Sequence, residues 1–308
     1  MSKPIKWDQS DLLRLSKDDT LLWCTPSCKQ IVSSLLPFNE GAHFQPLNEQ
    51  IRNLVVIGGG TLLDQAKVWR LEQSTKINLI VIPSIWGSGA EVSPICVLND
   101  GDTKKIIMGS EYLPDYYLIL NELAGSIPQQ RATLACGDAW SHALEGFLSP
   151  LSTPELQAEL AQVIKDMLET GLGNNSHWFE LSGRACLLQS KASVGLVHGI
   201  AHTLEPVLTN KFGSSWGHAC LCSNFLLPVM AFNQQSSSKY DDYMEKYNLD
   251  KDAIKSVLMD LFNRASFEEA MPDLIECWQT IIRDPCSRTN SVLVRPKSIS
   301  FFENGSFI

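Results

Sequence analysis

Basic residues are in deficit. The chain carries 25 Lys and Arg against 34 Asp and Glu, a net charge of −9, with no basic cluster. A nucleic-acid surface needs such clusters, so that class of partner is argued against. Long apolar runs are missing as well: none reaches the roughly 20 residues of a bilayer-spanning helix. The opening MSKPIKWDQSDLLRLSKDD is polar and lacks the apolar core of a secretory signal, so a cytoplasmic location is expected. No second cysteine pair stands at the spacing of Cys220 and Cys222, as a zinc-finger framework would need. The nine cysteines, an odd number, are scattered from Cys24 to Cys286, which argues for reduced thiols over a disulfide framework. Histidine is scarce, with only six, so their positions are informative.

What is present is enough for two domains. The 308 residues are 44% hydrophobic and 19% charged, a globular balance. In the first part, short β-branched runs alternate with helical periodicity. Leu21–Cys24 ends at Thr25-Pro26, Asn53–Ile57 ends at three glycines, and Ile77–Ile82 ends at Pro83. Such runs suit strands buried on both faces of a parallel sheet, and the helical segment Leu62–Glu72 between them completes a βαβ pattern. Beyond about Pro128 the strands fade. Helices are predicted over Arg131–Leu148, Pro154–Leu168, Trp178–Thr203, His218–Phe232, Asp252–Phe267 and Met271–Ile282, with a loop at Ser236–Ser238. The closing SISFFENGSFI carries no helix signature. The predicted architecture is an α/β domain over 1–128 and an all-α domain over 129–308.

Gly58-Gly59-Gly60-Thr61, leading into Leu62–Lys67, follows a strand and opens a helix. Glycines admit a phosphate to the backbone N–H groups, and a helix N-terminus adds a positive dipole end. The turn is neither the spaced Gly-x-Gly-x-x-Gly fingerprint nor a P-loop, and a purely structural tight turn would look the same. A second turn, Pro83-Ser84-Ile85-Trp86-Gly87-Ser88-Gly89, also follows a strand. Two such turns at neighbouring carboxyl ends suggest a cleft for a phosphorylated cofactor.

In CGDAWSHALE, Asp138, His142 and Glu145 share one helix face. An ordinary polar face would also give that pattern. However, His198 and His202 stand one turn apart in LVHGIAH, and His218 follows. HGIAH lacks the glutamate of the HExxH helix, so it is not that motif. One carboxylate and three or four imidazoles in one helical region suit Fe²⁺ or Zn²⁺. Cys220 and Cys222, just after His218, are of a type that can serve as soft metal ligands, but small buried residues are the favoured reading.

Taken in order, five segments resemble the iron-containing (group III) alcohol dehydrogenase family. They are GGGTLLDQAK, IPSIWGSGAEVSP, GDAWSHALEGFLS, LVHGIAHTL and GHACLCSNFLLPVMAFN, and they cover roughly Leu21 to Asn233. The resemblance implies the dehydroquinate synthase-like fold, with an α/β N-terminal dinucleotide-binding domain over 1–128, an all-α C-terminal metal-binding domain over 129–308 and a metal in the cleft between them. Mapped by motif, the metal ligands are Asp138, His142, His198 and His218, and His202 is the catalytic proton-relay candidate. Glu145 maps to no ligand and is read as supporting or structural. The cofactor residues implied are Thr25, Pro26, Gly58, Gly59, Gly60, Thr61, Asp64, Ser84, Ile85, Gly87 and Ser88.

The activity implied is metal-dependent hydride transfer between NAD(P)H and a small aldehyde or alcohol. The alternatives are a dehydroquinate-synthase-like cyclase or lyase and a non-catalytic binding relative. A homodimer is the candidate assembly. Four departures from the family pattern stand out: a longer His198–His218 interval containing LEPVLTNKFGSSWG, a short Pro37–Asn53 stretch, an abbreviated tail, and Trp86 where a small residue is expected. The family commonly places an aspartate where Pro26 stands. With that charge gone and Lys29 three residues on, NADPH is expected to serve at least as well as NADH.

Overall fold

The computed structural model describes residues 4–45, 48–101, 103–213, 216–305 and 307. Its first part contains β1 (Ile5–Lys6), α1 (Gln9–Leu13), β2 (Thr20–Cys24), α2 (Lys29–Leu35), β3 (Asn39–Glu40), β4 (Asn53–Gly58), α3 (Gly60–Trp69), β5 (Asn78–Pro83), β6 (Ile95–Asp100), β7 (Thr103–Met108) and β8 (Tyr116–Tyr117). Six strands form a parallel sheet in the order β1-β8-β5-β4-β2-β3. Every residue of β4 is buried, as a central parallel strand requires. Cys24 pairs with Ile57, Ile57 with Ile82, and Gly58 with Pro83. This register brings Thr25, the three glycines and the Ser84–Gly89 turn to the same carboxyl edge of the sheet.

The hairpin β6–β7 was not foreseen. It is an antiparallel pair outside the main sheet, clamped to α3 by buried polar groups. Lys67 Nζ donates to the carbonyls of Ser93 (3.1 Å) and Ile95 (3.2 Å), and to Asp64 Oδ1 (2.8 Å). Val97 N–H donates to Asp64 Oδ2 (2.9 Å).

The remainder is helical: α4 (Gln129–Leu148), α5 (Pro154–Thr170), α6 (His177–Gln189), α7 (Leu196–Phe212), α8 (His218–Ser236), α9 (Lys239–Lys246), α10 (Lys251–Leu261), α11 (Arg264–Ile281), α12 (Pro285–Arg288) and α13 (Ile299–Asn304). Helix α4 is buried continuously from Ala135 to Leu148 and is surrounded by α5, α6 and α8. No helix among the described residues is long and apolar enough to cross a membrane.

The helix predictions need four corrections. Trp178–Thr203 is two helices. The chain breaks after Gln189 and restarts at Leu196, where the side chains of Glu145 and Asn290 accept the free N–H groups of Val197 (2.6 Å) and Leu196 (3.3 Å). Asp252–Phe267 is also broken, because Asn263 caps α11 by accepting the Ser266 N–H at 3.0 Å. The tail does contain a helix, α13, which ends on Gly305 at φ 61°, and Phe302 buries it against the core. The His198–His218 interval is mostly a continuation of α7 to Phe212, with Pro206 inside it. Ser214 and Ser215 of that interval lie outside the described residues, as do Ser306 and Ile308 of the tail.

Candidate metal centre and adjoining cofactor cleft

Helices α4, α7 and α8 each contribute to one buried cluster. One donor atom each from Asp138, His198, His218 and Cys222 lies within 4.8 Å of the others. Asp138 Oδ1 is 3.8 Å from His198 Nε2 and 3.7 Å from His218 Nε2. Cys222 Sγ is 3.6 Å from His218 Nε2. His142 lies alongside: its ring stacks on that of His198 at 4.6 Å, and its Nδ1 is 4.0 Å from Asp138 Oδ1.

Close helix packing makes this convergence possible. A Cβ at Gly137 would stand 2.0 Å from Ser223 Oγ, so only glycine lets α8 approach α4 beside Asp138. Gly87, at φ 110°, places its carbonyl 3.1 Å from His142 Nδ1 and donates its N–H to Ser182 Oγ at 2.8 Å.

Each imidazole has an acceptor beside its Nδ1. Glu145 Oε2 meets His198 Nδ1 at 2.7 Å, Glu205 Oε2 faces His218 Nδ1 at 3.5 Å, and Gly87 O meets His142. Acceptors at one ring nitrogen set the tautomer and leave the other for an ion, the usual arrangement around metal-binding histidines. Asp138 Oδ1 and His198 Nε2 are buried with no hydrogen-bond partner among the described residues. Buried polar atoms are seldom left unpaired, and a cation between these two would satisfy both. The donor set therefore fits a divalent ion.

Titration favours the same picture. Burial, with the neighbouring imidazoles, holds His198 well below its ordinary value. Burial also lowers His142 and takes His202 down to about 3. Neutral imidazole is the form that binds metal. His218 is the exception: desolvation opposes its charge, but Asp138 and Glu205 outweigh it and raise the pKa. Burial pushes Glu145 up to about 8, yet both of its oxygens accept N–H bonds, a geometry that fits the carboxylate.

His202 is buried at the edge of this cluster, with its ring centroid 5.9 Å from that of His198. Its Nδ1 is 3.8 Å from Cys286 Sγ and 4.0 Å from Asp284 Oδ2. Glu205 also binds Lys104 Nζ of β7 at 3.1 Å, which ties the hairpin to α7 over the pocket. Sequence reasoning missed Glu205 and Lys104 and read Cys222 as a filler. For Cys222 the overlooked signal was its helical spacing of four residues from His218.

Two cavities meet here. One of about 240 Å³ is lined by Trp86, Asp138, His142, His198, His202 and His218. The other, about 750 Å³, runs along Thr25, Cys28, Gly59, Gly60, Thr61 and Ser84. They share Gly60, Thr61, Ile85, His218 and Ala219. Trp86 is buried, and its indole N–H donates to Ala132 O at 3.0 Å, pinning the second turn to α4.

Five expected cofactor positions, Pro26, Gly58, Asp64, Gly87 and Ser88, are not among the residues lining the larger cavity. Both oxygens of Asp64 are taken by Lys67 and Val97 N–H, so it braces the hairpin. Pro26 is exposed and is not among the residues lining the larger cavity. Gly87 lines neither cavity and instead sets its carbonyl 3.1 Å from His142 Nδ1. Lys29 is paired with Glu40 at 2.6 Å, so it is not a free cation at the cleft.

Comparison with known proteins gives a consistent answer. The family profile described as iron-containing alcohol dehydrogenase matches residues 42–120. A 1-propanol dehydrogenase of Salmonella typhimurium is 32% identical over 179 residues, which is 53% of this chain and 48% of that protein. An alcohol dehydrogenase of Thermococcus barophilus is 26% identical over 249 residues, covering 70% and 61%. The chain thus spans about half to three fifths of the length of these curated relatives. Among solved structures, the iron-containing alcohol dehydrogenase of Thermococcus thioreducens superposes with a TM-score of 0.73 at 20% identity, covering 97% of each chain. A sulfoacetaldehyde reductase of Bifidobacterium kashiwanohense, solved in complex with NAD+, gives 0.71 at 16% identity, covering 98% and 97%. At these identities the superpositions speak to the fold.

Proposed function

We propose that this chain, which belongs to the iron-containing alcohol dehydrogenase family, transfers a hydride between NAD(P)H and a small aldehyde or alcohol, using a divalent ion held by Asp138, His142, His198 and His218. The observation that carries this reading is the pair of orphaned buried atoms, Asp138 Oδ1 and His198 Nε2, in the cavity that adjoins the glycine-turn cleft. When bound, the ion supplies a Lewis acid toward the substrate oxygen, and the nicotinamide supplies or takes the hydride.

The chain's own residues do the rest. The backbone N–H groups of Gly60 and Thr61, at the start of α3, offer an anion site for a pyrophosphate. Glu145, Glu205 and Gly87 O hold the imidazoles in register. His202 is the proton-relay candidate: it is buried beside the cluster with its Nδ1 4.0 Å from Asp284 Oδ2, a position from which a proton can pass between the substrate oxygen and that carboxylate. Trp86 and the hairpin residues Ile95, Val97 and Lys104 line the small cavity, and about 240 Å³ suits a short-chain substrate.

The test is turnover of the metal-loaded protein with NADH or NADPH and a panel of short aldehydes, propanal among them. One cofactor oxidised per alcohol formed, lost on chelation, is the expected result. Cofactor binding without stoichiometric consumption would overturn this reading in favour of internal recycling or a binding role.

A further inference from the structure

We propose that Cys222 is an additional, thiolate donor to the ion in this pocket, giving a mixed oxygen, nitrogen and sulfur site that selects zinc over iron. This rests on the metal-site reading above. Cys222 is fully buried and stands one helical turn after His218 on α8, so both side chains leave the same face. Its Sγ is 3.6 Å from His218 Nε2 and belongs to the group of four donors lying within 4.8 Å of one another. Donors held at about 2.0–2.3 Å from one ion lie roughly 3–3.7 Å apart, so the sulfur stands at ligand separation from His218 Nε2.

Packing holds it there. The neighbouring residue Ser223 fills the space above Gly137, so α8 is seated against the turn of α4 that carries Asp138. A cysteine that merely filled space would pack on aliphatic neighbours. This sulfur instead joins a carboxylate and two imidazoles, of which Asp138 Oδ1 and His198 Nε2 have no other partner among the described residues. On binding, the sulfur–metal bond forms as the S–H proton leaves to solvent, with no change of oxidation state. Thiolate is a soft donor and shifts preference toward zinc, away from the harder Fe²⁺.

Cobalt(II) is the probe. Native protein loaded anaerobically with one Co²⁺ should show thiolate-to-cobalt charge-transfer absorption in the near ultraviolet. Cys222→Ser and Cys222→Ala should keep the cobalt but lose that band, and their zinc affinity should fall by about 10–100-fold or more. X-ray absorption of the native zinc protein, which needs no variant, should show one sulfur at about 2.3 Å. Stoichiometric cobalt without the band, or a band that survives in Cys222→Ser, would overturn the thiolate ligand and leave the oxygen and nitrogen site standing. Failure of the native protein to bind cobalt or zinc at all would sink the metal reading and this proposal together.

Discussion

The two walls of the cleft are made of different material. On the sheet side, the surface is main chain: the Gly58–Thr61 turn and the Ser84–Gly89 turn, brought to one edge by the register of β2, β4 and β5. On the helical side, it is side chain: a carboxylate, a thiol and imidazoles whose Nδ1 atoms each face an acceptor. A main-chain surface is set by topology and tolerates side-chain change at its rim. A side-chain surface depends on individual acceptors, so a single substitution reaches the chemistry.

That contrast orders the expected effects. The largest belongs to His202→Ala, which should retain metal while turnover falls roughly 10²–10⁴-fold, the usual cost of a lost acid–base group. Parallel metal analysis and kinetics check it, and loss of the metal would mean His202 is itself a ligand. Glu145→Gln comes next, since an amide cannot accept from both Val197 N–H and His198 Nδ1. Zinc affinity should drop about 10–100-fold, read by competition with a chelating dye. Unchanged affinity would reduce Glu145 to a cap for α7.

Glu91, two residues past the second turn, is buried beside Gly183 of α6, and burial raises its pKa to about 7 from an ordinary 4.5. The folded state therefore holds this proton more tightly than the unfolded chain, and stability falls as pH rises from 4.5 through 7. Glu91→Gln should be neutral near pH ~4 and stabilising by about 1–3 kcal/mol at pH ~8. Denaturation at both pH values reads the difference, and an equal effect at the two would refute the shift.

The smallest effect is on the main-chain wall. Pro26→Asp should move kcat/KM toward NADH by no more than about fivefold, because an exposed charge is worth under ~1 kcal/mol. A native preference for NADH left untouched by the substitution would show that position 26 does not read the ribose.

How much of this was legible depended on whether the signal was local. The buried strands and the glycine turns announced themselves through apolar runs that stop abruptly at Gly or Pro. The helix breaks did not, because apolar periodicity carries straight across Ser190–Gly195, and the caps that end it come from distant Glu145 and Asn290. Asn263 before α11 and Gly305 after α13 were local cap signals that went unused, as was the Asp100-Gly101 turn of the hairpin. Asp138, His142, His198, His202 and His218 stood out because histidine is rare and helical spacing is regular. Glu205 and the Lys29–Glu40 pair could not stand out, since each takes its meaning from a partner on another element.

The central claim is that the helical wall holds one divalent ion through Asp138 and the imidazoles around it. Elemental analysis of the native protein beside His198→Ala tests it most directly. The account predicts about one iron or zinc per native chain and less than about a tenth of that in the variant, a loss at least as large as that of a supporting residue. Full metal content in His198→Ala, or a native protein that takes up none, would contradict it.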